Sequence, residues 1–84
     1  MPRYFFDIDD GETPYRDDVG IELKDDQAAR DEAARALGEL AKEYIPQSAT
    51  PQKNITMWVR SEDGTALLSL SFSFAIQPVS SSKG

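Results

Sequence analysis

One amphipathic segment, residues 25–45, is the only long stretch of this chain with helical periodicity, and the rest of the fold has to pack against it. Stepped at 100° per residue, its apolar residues fall on one arc and its charged residues on the opposite arc. The apolar side of such a helix forms a stripe that has to be buried against the rest of the chain. The stripe comprises Ala29, Ala33, Ala36, Leu37, Leu40 and Tyr44.

Both ends of the segment carry signals that bound a helix. Asp25 or Asp26 can cap the start, because a short carboxylate accepts hydrogen bonds from the free backbone N–H groups and favours the positive end of the helix dipole. Pro46 is expected to end the helix, since its ring disfavours helical geometry at Ile45 and it has no N–H to donate. The sequence therefore predicts one helix over residues 25–45.

A shoulder of small residues, Ala34, Gly38 and Ala41, runs beside the large apolar stripe. A glycine in the middle of a helix costs about 1 kcal/mol relative to alanine, so Gly38 needs an explanation. One interpretation is a position at the solvent edge, or one where the helix approaches the sheet closely. The other is a second contact surface, where another chain approaches the helix closely.

Outside the helix, apolar and polar residues alternate with the period of two that is typical of β-strands. The segments that alternate cover residues 3–9, 13–17, 21–23, 54–60 and 66–76. Turn signals separate them, with Asp10-Gly11 after the first segment and Asp63-Gly64 before the last. A polar loop over residues 46–53 is expected to join the helix to the strand that follows it.

These elements give the order ββαββ, an α+β fold in which one helix packs on one face of a mostly antiparallel four-stranded sheet. Residues 1–78 are expected to form a single small domain, and residues 79–84 a disordered tail. The predicted core is the sheet face under the helix, formed by Tyr4, Phe6, Ile8, Ile55, Met57, Val59, Leu68, Leu70 and Phe72 against Leu37, Leu40 and Tyr44.

Composition argues against several classes of function. The 84 residues carry a net charge of −6, which opposes binding to nucleic acid or to anionic membrane surfaces. The chain has no cysteine, no apolar stretch of membrane-spanning length and no signal-peptide pattern, so we expect a soluble cytoplasmic protein. In a domain of this size, the free energy gained by burying apolar surface is nearly cancelled by the conformational entropy lost on folding. Self-association is the simplest source of further stability.

The chain lacks histidine as well as cysteine. It therefore offers no imidazole base, no thiolate nucleophile and no Cys/His zinc site, and no cofactor is expected. What remains is a run of carboxylates in the first hairpin, with Asp7, Asp9, Asp10 and Glu12. One interpretation is a divalent-cation site, since Ca²⁺ and Mg²⁺ take oxygen ligands. The other is a solvated hairpin whose aspartates favour turns and discourage pairing at a strand edge.

The sheet face opposite the helix is the second candidate for a functional surface. By alternation Phe5, Trp58 and Leu67 point away from the face that the helix covers. If the strands of Phe5 and Trp58 are neighbours, the two rings form an exposed aromatic patch of the kind that marks interaction sites. The alternative is that Arg3, Arg60 and Thr56 cover the rings with the alkyl parts of their side chains.

Four short motifs carry a resemblance to a known family: the opening Met1-Pro2-Arg3-Tyr4-Phe5-Phe6, the acidic turn at Asp10-Gly11, the pattern Asp17-x-x-Gly20-x-Glu22-Leu23 before an Ala/Arg-rich helix, and the late hairpin through Asp63-Gly64. Together they resemble a family of short uncharacterised proteins, a domain of unknown function, common in rhizobia and related alphaproteobacteria. The resemblance implies a bacterial cytosolic protein and supplies no activity and no catalytic residues.

The function expected from the sequence is a non-enzymatic protein-interaction module, a homodimer formed through the open sheet face or a strand edge, or a binder of another protein. The expected interaction surface comprises Phe5, Trp58, Leu67, Ala34, Gly38 and Ala41. The alternative is a small-ligand or divalent-cation-binding regulator that uses Asp7, Asp9, Asp10 and Glu12.

Overall fold

The computed structural model describes residues 1–47 and 51–79. Within them lie five strands and one helix: β1 Arg3–Asp9, β2 Pro14–Tyr15, β3 Ile21–Glu22, α1 Asp26–Gln47, β4 Gln52–Arg60 and β5 Ala66–Ala75. The α+β class and the ββαββ order are confirmed. The segments predicted at residues 13–17 and 21–23 form the short strands β2 and β3, which both pair with β1. Of the predicted tail, residues 80–84 lie outside the described residues.

The sheet is antiparallel and has the order β2-β1-β4-β5, with β3 also paired to β1. β2 pairs with the end of β1 and β3 with its beginning. In the centre, Phe5 pairs with Arg60 and Asp7 with Trp58, and Trp58 pairs in turn with Ser69 of β5. β1 and β4 are therefore central, and β5 forms one edge of the sheet.

α1 begins at its expected cap but ends later than expected. The Asp25 carboxylate accepts a hydrogen bond from the Ala28 N–H at 2.8 Å, which confirms the predicted cap. Pro46 lies inside the last turn of α1, which runs to Gln47, so the expected end at Ile45 was wrong. A proline in this place removes a single hydrogen bond from a helix end, where the cost is local. No helix in the described part of the chain combines the length and apolar character needed to cross a membrane.

One core lies between α1 and the sheet face that it covers. Its buried members are Tyr4, Ala29, Ala33, Leu37, Ile55, Met57 and Val59. Packed against them and partly buried are Phe6, Ile8, Leu23, Ala36, Leu40, Tyr44, Leu68, Leu70 and Phe72. The predicted core is confirmed, because each of its members belongs to one of these two sets.

Two tyrosine hydroxyls fix the ends of α1 to the sheet. The Tyr4 hydroxyl donates to the Asp26 carboxylate at 2.8 Å near the start of α1, and the Tyr44 hydroxyl donates to Asp10 at 3.0 Å near its end. The hydrogen bond to the Asp26 carboxylate, together with burial, raises the pKa of Tyr4 to about 12. α1 therefore runs along the direction of β1, from its beginning toward its end.

Candidate interaction site

The outer edge of β5 presents a row of backbone hydrogen-bonding groups that no strand in the described part of the chain satisfies. In an antiparallel ladder, alternate residues direct their N–H and C=O groups toward the paired strand and away from it. The Ile76 N–H donates to the Pro51 carbonyl, which fixes this alternation along the β4–β5 ladder. The N–H and C=O groups of Ser69, Ser71 and Ser73 therefore point outward, and no described strand pairs with that edge.

Little along β5 discourages another strand from pairing with it. Proteins usually protect an edge with charges, proline, a bulge or a very short strand. β5 has ten residues without a charge or a proline, and its only register irregularity lies at its start, opposite Arg60. The other edge consists of two strands of two residues each and begins with Pro14. The two edges therefore differ, and β5 is the one open to a partner.

The β5 side chains that face α1 remain partly uncovered. On the neighbouring strand, Ile55, Met57 and Val59 are between 0% and 2% exposed. No residue of β5 is buried to that degree. The apolar row of β5, partly buried, consists of Leu68, Leu70, Phe72 and Phe74. α1 thus covers β4 fully and β5 in part, and it leaves apolar surface beside the open edge.

The small-residue shoulder lies on a free flank of α1. Ala34 and Gly38 are exposed, and Ala41 is partly buried. Among the described residues, a Cβ atom at Gly38 would meet no other atom within 4 Å. Close approach to the sheet therefore does not explain this glycine, which stands at the solvent edge of its own chain. The contact with a second chain stays a prediction.

The open face of the sheet presents one exposed aromatic ring. Trp58 is 38% exposed. Leu67, predicted on the same face, is instead the extra residue of the bulge opposite Arg60 and lines a hollow with Tyr4 and Asp26 near the start of α1. Phe5 is partly buried, because the Arg60 guanidinium lies 4.7 Å from the centroid of its ring. A Cβ atom at Gly20 would come within 2.9 Å of the same ring, so the loop before β3 packs against its edge. Arg60 thus covers Phe5, in agreement with the alternative interpretation that polar side chains cover the rings of the open face.

Arg60 also forms an ion pair on this face. Its guanidinium donates to both oxygens of the Asp7 carboxylate, at 2.6 and 3.3 Å, and to the Asp17 carbonyl at 2.9 Å. The Asp17 N–H donates to Asp7 at 2.8 Å. Burial acts to raise the pKa of Asp7, but the hydrogen bonds from Arg60 and Asp17 and the charge of Arg60 lower it overall. Asp7 is therefore held as a structural partner of Arg60.

Asp17 takes the place of a strand between β2 and β3. Its carboxylate accepts hydrogen bonds from the N–H groups of Phe6 at 3.1 Å, Val19 at 3.0 Å and Gly20 at 3.1 Å. Burial acts to raise the pKa of Asp17, but these N–H groups lower it overall. The Phe6 N–H is thus satisfied where the flanking strand is interrupted. Sequence reasoning missed this role, although an aspartate three residues before Gly20 was a usable signal.

The remaining carboxylates of the first hairpin stabilise its turn. Asp9 accepts a hydrogen bond from the backbone N–H two residues ahead, and Asp10 accepts from the N–H groups of Thr13 and Glu12. These two N–H groups lower the pKa of Asp10. Glu12 lies 3.7 Å from the Lys53 ammonium group. Among residues 1–47 and 51–79, no group of three or more acidic side chains is placed to hold a metal ion.

The residues predicted as one interaction surface lie on both sides of the sheet. Phe5 and Trp58 share the open face, whereas Ala34, Gly38 and Ala41 lie on α1, which covers the other face. The β5 edge borders both faces, and sequence reasoning named it only as a strand edge. The sequence shows that residues 66–75 carry no charge, but the position of this strand at an edge comes from the strand order.

The family to which the motifs pointed is matched over most of the chain. A family model described as a domain of unknown function, DUF6894, matches residues 3–73. No curated protein and no solved structure matches the chain. The matched region runs from the first residue of β1 to Ser73 of β5, so it includes α1 and the outward-facing serines.

Proposed function

The chain belongs to the DUF6894 family, a domain of unknown function, and we propose that it is a non-enzymatic protein-interaction module that self-associates as a homodimer. The observation that carries the proposal is the outer edge of β5, ten residues long, uncharged and unpaired within the described residues. An edge of this kind binds another chain by strand addition, in which main-chain hydrogen bonds supply affinity.

The apolar row of β5 supports the same proposal. Leu68, Leu70 and Phe72 already contact the core but stay partly exposed at the edge. A strand added to β5 would cover them and remove apolar surface from water, worth roughly 25 cal/mol per Å². A small cysteine-free domain gains stability in this way, because its own core is modest.

The non-enzymatic part of the proposal rests on the side chains that the sequence offers. The chain has no histidine and no cysteine. Asp7 is paired with Arg60, and Asp10 is occupied by backbone N–H groups and the Tyr44 hydroxyl. No observation favours cation binding by the first hairpin, so we do not advance that function. The proposal includes the cytoplasmic location expected from the sequence, which cell fractionation tests.

Sedimentation equilibrium of the full chain over a wide concentration range tests self-association. We expect the wild type to approach twice the 9.3 kDa mass of the chain. Ser71→Pro should be monomeric, because proline removes an outward N–H and spares the hydrogen bonds to β4. Ser71→Ala keeps the N–H and should stay dimeric. Circular dichroism of both variants checks that the fold is retained.

Trp58→Asp tests the open face as the alternative contact surface. If β5 is the contact, this variant remains dimeric, since Trp58 lies on the central strand β4. A wild type that is monomeric at every concentration and binds no protein would contradict the proposal. If Trp58→Asp is monomeric and Ser71→Pro remains dimeric, the dimer contact lies on the open face and not at β5.

A further inference from the structure

We infer that two copies of the chain join β5 to β5 in antiparallel orientation about a two-fold axis at Ser71, which merges their sheets and sets their α1 helices side by side. This inference rests on the proposed function, self-association, and names a second copy of the same strand as the occupant of the β5 edge. A two-fold dimer uses the same patch on both copies, so the edge has to be complementary to itself.

The hydrogen-bonding pattern of β5 permits this pairing. The N–H and C=O groups of Ser69, Ser71 and Ser73 point outward, as the β4–β5 ladder requires. These three alternate residues can form an antiparallel ladder with the same residues of a second copy when the two-fold axis passes beside the middle one. Ser71 then pairs with Ser71 of the second copy, and Ser69 pairs with Ser73.

The side-chain pattern of β5 is complementary to itself about the same residue. With Ser71 on the axis, Leu70 lies opposite Phe72 of the second copy, and Leu68 lies opposite Phe74. Leucine therefore meets phenylalanine at each of these positions of the apolar row, and each pair covers surface that α1 leaves open. The alternation of serine and apolar residues matches itself when the strand is reversed, as an antiparallel homodimer requires.

Charge favours a second copy over a basic partner at this edge. The chain has a net charge of −6, so two copies repel each other at long range. The strand Ala66–Ala75 carries none of that charge, and the first-hairpin carboxylates lie on the far side of β4. A basic partner would need acidic residues at the contact, and β5 offers none.

The position of α1 sets the distance between the two helices. α1 packs on β4 and β5, so its axis lies roughly one strand spacing, about 4.8 Å, from the two-fold axis. The two α1 axes would then be about 10 Å apart, the distance at which packed helices lie. At that spacing, small side chains on the facing flanks let the helices fit without displacing the strands.

The flank of α1 toward the second copy carries the small-residue shoulder. β3 and β4 both pair antiparallel with β1, so α1 connects two parallel strands of one sheet. Such crossovers are right-handed in about 98% of cases. That hand places Ala34, Gly38 and Ala41 on the β5 side of the helix. No atom of residues 1–47 and 51–79 lies within 4 Å of a Cβ at Gly38, which agrees with space left for another chain.

Single cysteines test the register, because the chain has no cysteine of its own. In the Ser71→Cys variant the two Cα atoms would be about 5.5 Å apart, within the range that a disulfide bridges. Ser69→Cys is the matched control, since its two copies would be roughly 14 Å apart along the strands. With oxidised glutathione, we expect Ser71→Cys to form the covalent dimer ~10-fold faster or more than Ser69→Cys.

An equimolar mixture of Ser69→Cys and Ser73→Cys chains is expected to form the mixed disulfide. Equal cross-linking rates for Ser71→Cys and Ser69→Cys would overturn the inferred register, as would a mixture that fails to cross-link. Sedimentation of the wild type separates the two proposals. A monomeric wild type overturns the proposed function and the inference together, whereas a dimeric wild type with slow Ser71→Cys cross-linking overturns the inference alone.

Gly38→Glu tests the helix contact with a substitution that the single chain tolerates. Nothing in the described part of the chain lies within 4 Å of the new Cβ, and glutamate favours helices more than glycine does. Two such carboxylates beside the two-fold axis should weaken association ~10-fold or more, because like charges are brought together. Gly38→Ala should leave association unchanged. Equal dissociation constants for the wild type and Gly38→Glu would overturn the side-by-side arrangement of the helices.

Discussion

Asp17 performs with a side chain what a continuous strand would perform with its backbone. Its carboxylate accepts the Phe6 N–H at 3.1 Å, at the point where the strand beside β1 is interrupted. Arg60 reaches across from β4 and donates to the Asp17 carbonyl and the Asp7 carboxylate. The side chains of Arg60 and Asp7 are only 14% and 19% exposed, so solvent weakens this ion pair less than a surface pair. The interrupted edge of the sheet is held by these three residues.

Asp7→Asn should lower the free energy of unfolding by about 2 kcal/mol at neutral pH, the usual contribution of hydrogen bonds to charged groups. The pKa of Asp7 is lowered in the folded state. The ionised Asp7 carboxylate therefore contributes fully to the free energy of unfolding above its unfolded-state pKa of about 4. This contribution is lost as pH falls through the lower pKa of the folded state. Urea unfolding of both proteins from pH 7 to pH 2 measures this. If the wild type and Asp7→Asn still differ by the same free energy of unfolding at pH 2, the stabilisation does not come from the ionised Asp7 carboxylate.

Gly20→Ala should destabilise the fold more than Gly64→Ala does. Both glycines have positive φ, at +75° and +89°, so each alanine is strained by roughly 1–2 kcal/mol. At Gly20 the added Cβ would also come within 2.9 Å of the Phe5 ring and the Tyr4 carbonyl oxygen, whereas at Gly64 it meets no atom of the described residues within 4 Å. We expect a further loss of about 2 kcal/mol for Gly20→Ala, typical of overpacking. Equal losses in urea unfolding would mean that the loop moves freely away from Phe5.

Among the secondary-structure elements, periodicity located the strands and the helix but not all of their bounds, since β4 begins at Gln52 where a loop over residues 46–53 was expected. Periodicity also did not reveal which strands are neighbours. Alternation predicted β1 with its observed bounds, because each strand turns one face to a single core. The end of α1 was missed at Pro46, since a helix terminus tolerates a proline that its interior would not. The edge position of β5 was not predictable, because it depends on pairings such as Met57 with Leu70 that one sequence does not reveal.

The helix itself supports one prediction that is independent of any partner. Gly38→Ala should raise the free energy of unfolding by about 1 kcal/mol, because alanine has the higher helix propensity and the added methyl group has room. Urea unfolding at one fixed protein concentration measures the change. A lower stability for the alanine variant would indicate that the flank of α1 is occupied so closely that it excludes even a methyl group.

At the scale of the whole molecule, one helix covers a sheet four strands wide only in part. α1 lies over β4 and β5, yet the apolar row of β5 remains partly exposed beside an unpaired edge. Joining two copies at β5 makes that edge the centre of a larger sheet. The outer edges of the dimer would then both consist of the short strands β2 and β3, which carry the features that discourage further pairing.

A dimer of this kind makes thermal stability depend on concentration. Since only folded chains associate, the unfolding midpoint of the wild type should rise with protein concentration. The midpoint of Ser71→Pro should not change, because that variant stays monomeric. Differential scanning calorimetry at several concentrations measures both. A wild-type midpoint that is independent of concentration would contradict the dimer.

Hydrogen exchange at the backbone amides of β5, measured residue by residue, distinguishes the β5–β5 dimer from the single chain. In a single chain the Leu70 N–H faces β4 and is protected, whereas the Ser71 N–H faces solvent. In the β5–β5 dimer the Ser71 N–H is bonded to the second copy. We predict that Ser71 is protected like Leu70 at high protein concentration and loses that protection on dilution. A Ser71 amide that exchanges freely at every concentration, beside a protected Leu70, would contradict the account.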